Sequence, residues 1–140
     1  MTDTARSQKN KVEDLRRSKI LEDSRIFTTS HFCSQEEVDI EDLLGEELYL
    51  KIVNAAYQLD TTQGITGESL ARSGEPSLRI VKRVEAAVRL RNDLRELDHF
   101  SPASFLIQHP GLISGTEADD ALSRFEALFI RLNALLPKAM

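Results

Sequence analysis

Apolar positions in this chain recur mostly three and four residues apart, the spacing of one face of an α-helix. The clearest case is TEADDALSRFEALFIRLNALL, where Ala118, Leu122, Phe125, Leu128/Phe129, Leu132 and Leu135/Leu136 define a final helix. Thr116 stands where an N-cap is wanted, acids follow it in the first turn, and Pro137 stops the helix. In SLRIVKRVEAAVRLRNDL, Leu78, Val81, Val84 and Val88 form an inward stripe, with Arg79, Lys82, Ala86 and Arg89 on another face. From residue 40 onward, Leu44, Leu48, Ile52 and Ala55 make a third stripe, flanked by Tyr49, Val53 and Ala56. Gly45 divides that stretch into a short helix and a longer one, because glycine weakens a helix interior by about 1 kcal/mol relative to alanine.

The remaining segments carry weaker patterns. SQKNKVEDLRRSKIL (7–21) reads as a polar helix with Val12, Leu15 and Ile20 among its few apolar positions. RIFTT (25–29) is a β-branched and aromatic run after a turn, so it reads as a strand with its partners elsewhere. A helix joined to a strand by a short turn is half of a βαβ unit, whose first strand is expected before residue 1. In DHFSPASFLIQHPGLI, Ser101 precedes Pro102 at the first position of a short helix, and Pro110-Gly111 ends it. DTTQGITGESLARSGEPS (60–77) reads as a long flexible connection rich in Gly, Ser and Thr. The expected fold class is therefore mainly α with a small β remnant.

Composition changes this picture only in part. A chain of 140 residues with 41% hydrophobic and 29% charged residues suits one modest domain. The single cysteine, Cys33, excludes an internal disulfide and a multi-cysteine zinc site, and fits a reducing cytoplasm. No signal-peptide pattern and no apolar run of the roughly 20 residues a membrane span requires is present. A soluble cytoplasmic protein is expected.

Charge is more informative in its distribution than in its net value of −5. Residues 31–60 carry eight acids and one base, Lys51, whereas residues 71–95 carry seven bases and three acids. An acidic block followed by a basic one suits either two solvated helix faces or a site that processes a polyanion. In EEVDIEDLL, Asp39 and Glu41 stand two apart, so on an extended backbone both point the same way and offer hard oxygen ligands to Mg²⁺ or Mn²⁺. Acids at a helix start are equally expected, since each gains about 0.3–1 kcal/mol from the macrodipole. Lys82 or Arg83 can hold a phosphate, or can simply be the solvent side of an amphipathic helix. His31, His99 and His109 lack HxxxH or HExxH spacing, Cys33 has only His31 near it in sequence, and neither GxSxG nor GxxxxGK[ST] occurs.

The succession DIEDLLGEELYLKIVNAAY, SLRIVKRVEAAV, DHFSPASFLIQHP and LSRFEALFIRLNALL resembles the C-terminal tail of ATP-dependent endonucleases of the overcoming-lysogenisation-defect (OLD) type. In that family a P-loop ATPase is followed by a Toprim nuclease domain. The resemblance runs in order over nearly the whole chain, and its first block is the most specific. It implies a partial Toprim α/β unit over 1–44 and a helical C-terminal subdomain over 45–140. It places Met1-Thr2-Asp3 where Toprim domains carry DxD, so Asp3 matches the second acid and Met1 replaces the first. It further implies Asp39 and Glu41 as ligands of a second Mg²⁺ or Mn²⁺, and Lys82 as a catalytic base or phosphate contact.

Two-metal hydrolysis needs ions about 3.5–4 Å apart held by several elements, and this chain supplies only part of that set. The expectation is therefore a C-terminal fragment or subunit of a metal-dependent DNA endonuclease, with no ATP site of its own and inactive alone. It would work with an ATPase/Toprim partner chain or as a homodimer, in phage defence or DNA processing. Two rival expectations stand beside it. One is a non-enzymatic helical interaction module. The other is direct DNA binding through the basic helix 77–95, with Arg79 and Arg83 as contacts.

Overall fold

The computed structural model describes residues 3–137, apart from the side chains of residues 3–6 and 8. The described residues form six α-helices: α1 (Asp3–Ser18), α2 (Glu46–Ala56), α3 (Gly67–Arg72), α4 (Ile80–Arg89), α5 (Phe100–Gln108) and α6 (Thr116–Asn133). Short 3-10 turns at Asp23–Arg25, Thr29–Phe32, Ile40–Leu44 and Pro110–Leu112 join them. The fold is mainly α. Among the described residues no helix is long and apolar enough to cross a membrane.

Helix α2 is the centre, because it carries two apolar stripes rather than one. Tyr49, Leu50 and Val53 meet Ile80, Val81, Val84, Ala87 and Val88 of α4, together with Ile65 and Leu70. Leu48 and Ile52 face the other way, onto Ala121 of α6 with Leu44 and Leu106 alongside. Gly45 separates the 3-10 turn from α2 as its position suggests. Its φ of +81° suits glycine, and a Cβ there would stand 2.8 Å from Nη2 of Arg124.

Several local expectations change. Residues 25–29 form no strand: Ile26 and Thr28 are extended, but they lie between two 3-10 turns with no ladder partner among the described residues. Their polar groups are satisfied locally instead, Ile26 N–H by the Asp23 carbonyl at 3.1 Å and Thr28 N–H by His31 Nδ1 at 3.1 Å. Leu78 is exposed rather than inward, because α4 begins only at Ile80.

The 60–77 connection is not slack. It contains α3, capped by Thr66, whose Oγ1 accepts from Ser69 N–H. Asn54 pins it with two hydrogen bonds to Ile65, donating from Nδ2 to the carbonyl at 2.9 Å and accepting at Oδ1 from the N–H at 2.7 Å. At α5 the capping carboxylate comes from Asp98, which accepts from Ser101 N–H at 2.6 Å and from its hydroxyl at 2.7 Å. Those bonds hold the Asp98 carboxyl below its usual range. At α6 Gly115 is the N-cap and Thr116 already helical.

Candidate functional site

The acid cluster lies on the 3-10 turn Ile40–Leu44, where three neighbouring carboxylates take three different partners. Asp39, at the turn's extended N-cap, directs Oδ1 to Nη1 of Arg79 at 3.4 Å. Arg79 is only 7% exposed, and its Nε also donates to Ser77 Oγ at 3.4 Å. Glu41 turns elsewhere, its Oε1 lying 3.3 Å from Nδ1 of His99. Asp42, 7% exposed, uses Oδ2 to accept from Asp39 N–H at 2.7 Å and Oδ1 to accept from Ile80 N–H at 2.8 Å.

Asp42 thus starts two elements at once: it closes the 3-10 turn and caps α4. Burial pushes its carboxyl above the usual range, against the lowering effect of the two N–H donors.

From Glu41 a polar chain runs across three segments. His99 Nε2 lies 3.6 Å from Glu85 Oε1, and Glu85 Oε2 accepts from Lys82 Nζ at 2.9 Å. This ties the turn that precedes α5 to α4 and to the 3-10 turn. The buried Tyr49 hydroxyl borders the chain; burial raises its pKa, and the Glu41 and Glu85 charges add to the effect. Arg83 leaves the network and pairs with Glu46 at 2.7 Å.

Of the residues singled out from sequence, Asp39 and Arg79 therefore meet each other, and Lys82 reaches Glu41 only through Glu85 and His99. Asp39 and Glu41 do not converge, because the backbone leaves the extended state at Ile40 and sends their side chains apart. Arg79 is turned inward onto Asp39, and Lys82 and Arg83 are each matched by a glutamate. The side chain of Asp3 lies outside the described residues.

Asp39, Glu41 and Asp42 each face a different partner, so among the described side chains they do not converge on one point. Among the described residues no group of three or more His, Cys, Asp or Glu side chains is placed to hold a metal ion. His99 sits between Glu41 and Glu85, with one ring nitrogen towards each, so the three cannot share a cation as they stand.

Burial pushes the Cys33 thiol up, with Asp42 reinforcing and Arg124 opposing it. His109 stacks on Phe105 at 4.1 Å between ring centroids. A groove of about 370 Å³ between α1 and residues 28–39 has Lys9, Arg16, His31, Glu37, Asp39 and Arg79 among its walls, a mixture of both signs.

Sequence reasoning missed Asp42, Glu85 and His99. The D-x-x-D spacing of Asp39 and Asp42 was a legible capping signal. Nothing in sequence announces His99, which lies 58 residues from Glu41.

The surface contrasts with this saturated cluster. On α6, Ala118 and Ala121 are buried while Leu122, Phe129, Ile130 and Leu136 are 54%, 57%, 63% and 64% exposed. The apolar arc of α6 is wider than the arc its neighbours cover. No known protein family, curated protein or solved structure matches this chain.

Proposed function

We propose that this chain is a helical docking module, serving as a C-terminal part or subunit of a larger assembly rather than as a catalyst in its own right. The observation that carries this reading is the outer face of α6, where Leu122, Phe129 and Ile130 stand in solvent on a helix whose other side is already packed. Contiguous exposed apolar side chains of this size are characteristic of surfaces that meet another protein. The ordered resemblance to OLD-type endonucleases names the assembly: a Toprim-type, metal-dependent DNA endonuclease that this segment helps to build. The acids on the 3-10 turn support a structural role within it, since Asp42 caps α4 and Asp39 neutralises a buried arginine.

The isolated chain tests this directly. Incubated with supercoiled DNA and millimolar Mg²⁺ or Mn²⁺, it should produce no nicked product. Cleavage that disappears in Asp39→Asn would overturn the docking reading and restore Asp39 as a metal ligand.

A further inference from the structure

The exposed side of α6 carries the pattern by which one helix pairs with another. Leu122, Phe125, Phe129 and Leu132 follow each other at alternating steps of three and four residues, the spacing that keeps a seam facing a second helix laid alongside. Leu122, Phe129 and Leu132 are exposed and Phe125 is half-buried. From Leu122 to Leu132 the seam runs about 15 Å, nearly three turns of a partner helix. One flank is closed by the chain itself, where Ala121 packs against Leu48 and Ile52. The other flank is open and holds Asp119, Glu126 and Asn133 at heptad spacing, the border positions whose charges choose a partner.

Accessible charge on α6 has one sign. Its exposed ionised side chains are Asp119, Asp120 and Glu126. Its bases are spent on the chain's own body: Arg124 Nε donates to the Leu43 carbonyl at 2.7 Å, and Arg131 donates to the Ser24 carbonyl with its guanidinium over the Phe27 ring. That sign discriminates among occupants. A second α6 laid antiparallel sets acids against acids, and laid parallel it offers Glu126 only the buried Ala121. An anionic lipid surface is repelled by the same border. A helix with lysine or arginine beside its apolar stripe meets both requirements. The alkyl stem of such a residue also covers the exposed Ile130, which stands one turn beyond Glu126.

We propose that the seam of α6 receives a cationic amphipathic helix of a different polypeptide, its apolar stripe on Leu122, Phe125, Phe129 and Leu132 and its bases against Asp119 and Glu126. This deepens the docking-module reading by stating the partner's chemistry, and it rests on that reading.

Two synthetic helical peptides, each as long as α6, test it by fluorescence anisotropy with the full chain. Both carry leucine at the seam positions; one has lysine along the borders and the other glutamate. The lysine peptide should bind saturably, one per chain, and the glutamate peptide at least tenfold more weakly. Phe129→Ser, at a site already exposed, should keep its helix content by circular dichroism and weaken the lysine peptide at least tenfold. Asp119→Asn with Glu126→Gln should weaken it severalfold. Glu47→Gln with Glu96→Gln, which removes the same charge from exposed sites elsewhere, should leave it unchanged. Equal loss from the two acid pairs overturns the border as selector. A glutamate peptide that binds as tightly as the lysine one, and through Phe129, overturns the cationic partner while leaving α6 as a docking face. Phe129-dependent binding to phosphatidylserine vesicles overturns a protein occupant, and no binding of either peptide overturns the proposal. Peptide binding indifferent to Phe129→Ser overturns α6 as the docking face altogether.

Discussion

Removing the Asp42 carboxylate should test the whole arrangement around the acid cluster. It accepts from two backbone N–H groups, Ile80 at 2.8 Å and Asp39 at 2.7 Å. The two losses are unequal. Ile80 is buried, so in Asp42→Ala its N–H is left without partner or water, a penalty of about 1–3 kcal/mol. Asp39 is only half-buried, so water replaces much of its bond, and loss of capping there costs about 1 kcal/mol or less. Together the cost of Asp42→Ala is about 1–4 kcal/mol. Asp42→Asn keeps the volume and one acceptor, and should cost roughly half as much.

Urea unfolding followed at 222 nm gives both values. A cost below about 0.5 kcal/mol for Asp42→Ala, the size expected of an unremarkable surface change, would refute the bridging role, as would an Asn variant weaker than the Ala one. The pH dependence has a defined sign. Because burial raises the folded carboxyl, folding holds the Asp42 proton more tightly than the unfolded chain does. The titration of Asp42 therefore contributes stability that is full below its unfolded value and lost as pH rises through the folded value. The stability gap between wild type and Asp42→Asn should narrow as pH rises across that window. A gap that widens would reverse the assignment.

Two further substitutions probe the elements that position the cluster. Gly45→Ala forces a side chain into φ +81° and against Arg124, and should cost about 1–3 kcal/mol in the same denaturation assay. Asn54→Ala removes both bonds to Ile65, should cost about 1–3 kcal/mol, and should speed amide exchange across residues 60–66.

What sequence alone determined here is the set of elements whose signals are local. The helical periods of α2, α4 and α6 were legible because a helix must present apolar residues every three to four positions to one neighbour. The break at Gly45 was legible because a backbone without Cβ is a weak helix interior. The mainly α class followed from those periods.

Tertiary structure decided the rest. RIFTT has strand composition, yet a strand requires a ladder partner that composition cannot supply. Helix α3 hid inside a Gly- and Ser-rich stretch because its anchor, Asn54, lies on another helix. The acidic block has the same charge whether it binds a cation or caps a helix. Only the fold shows Asp42 buried under α4, Asp39 against Arg79 and Glu41 against His99. Residues 39 to 42 could be paired with residues 79 to 99 only by long-range packing, and a charge's role depends on what that packing brings within a few ångströms of it.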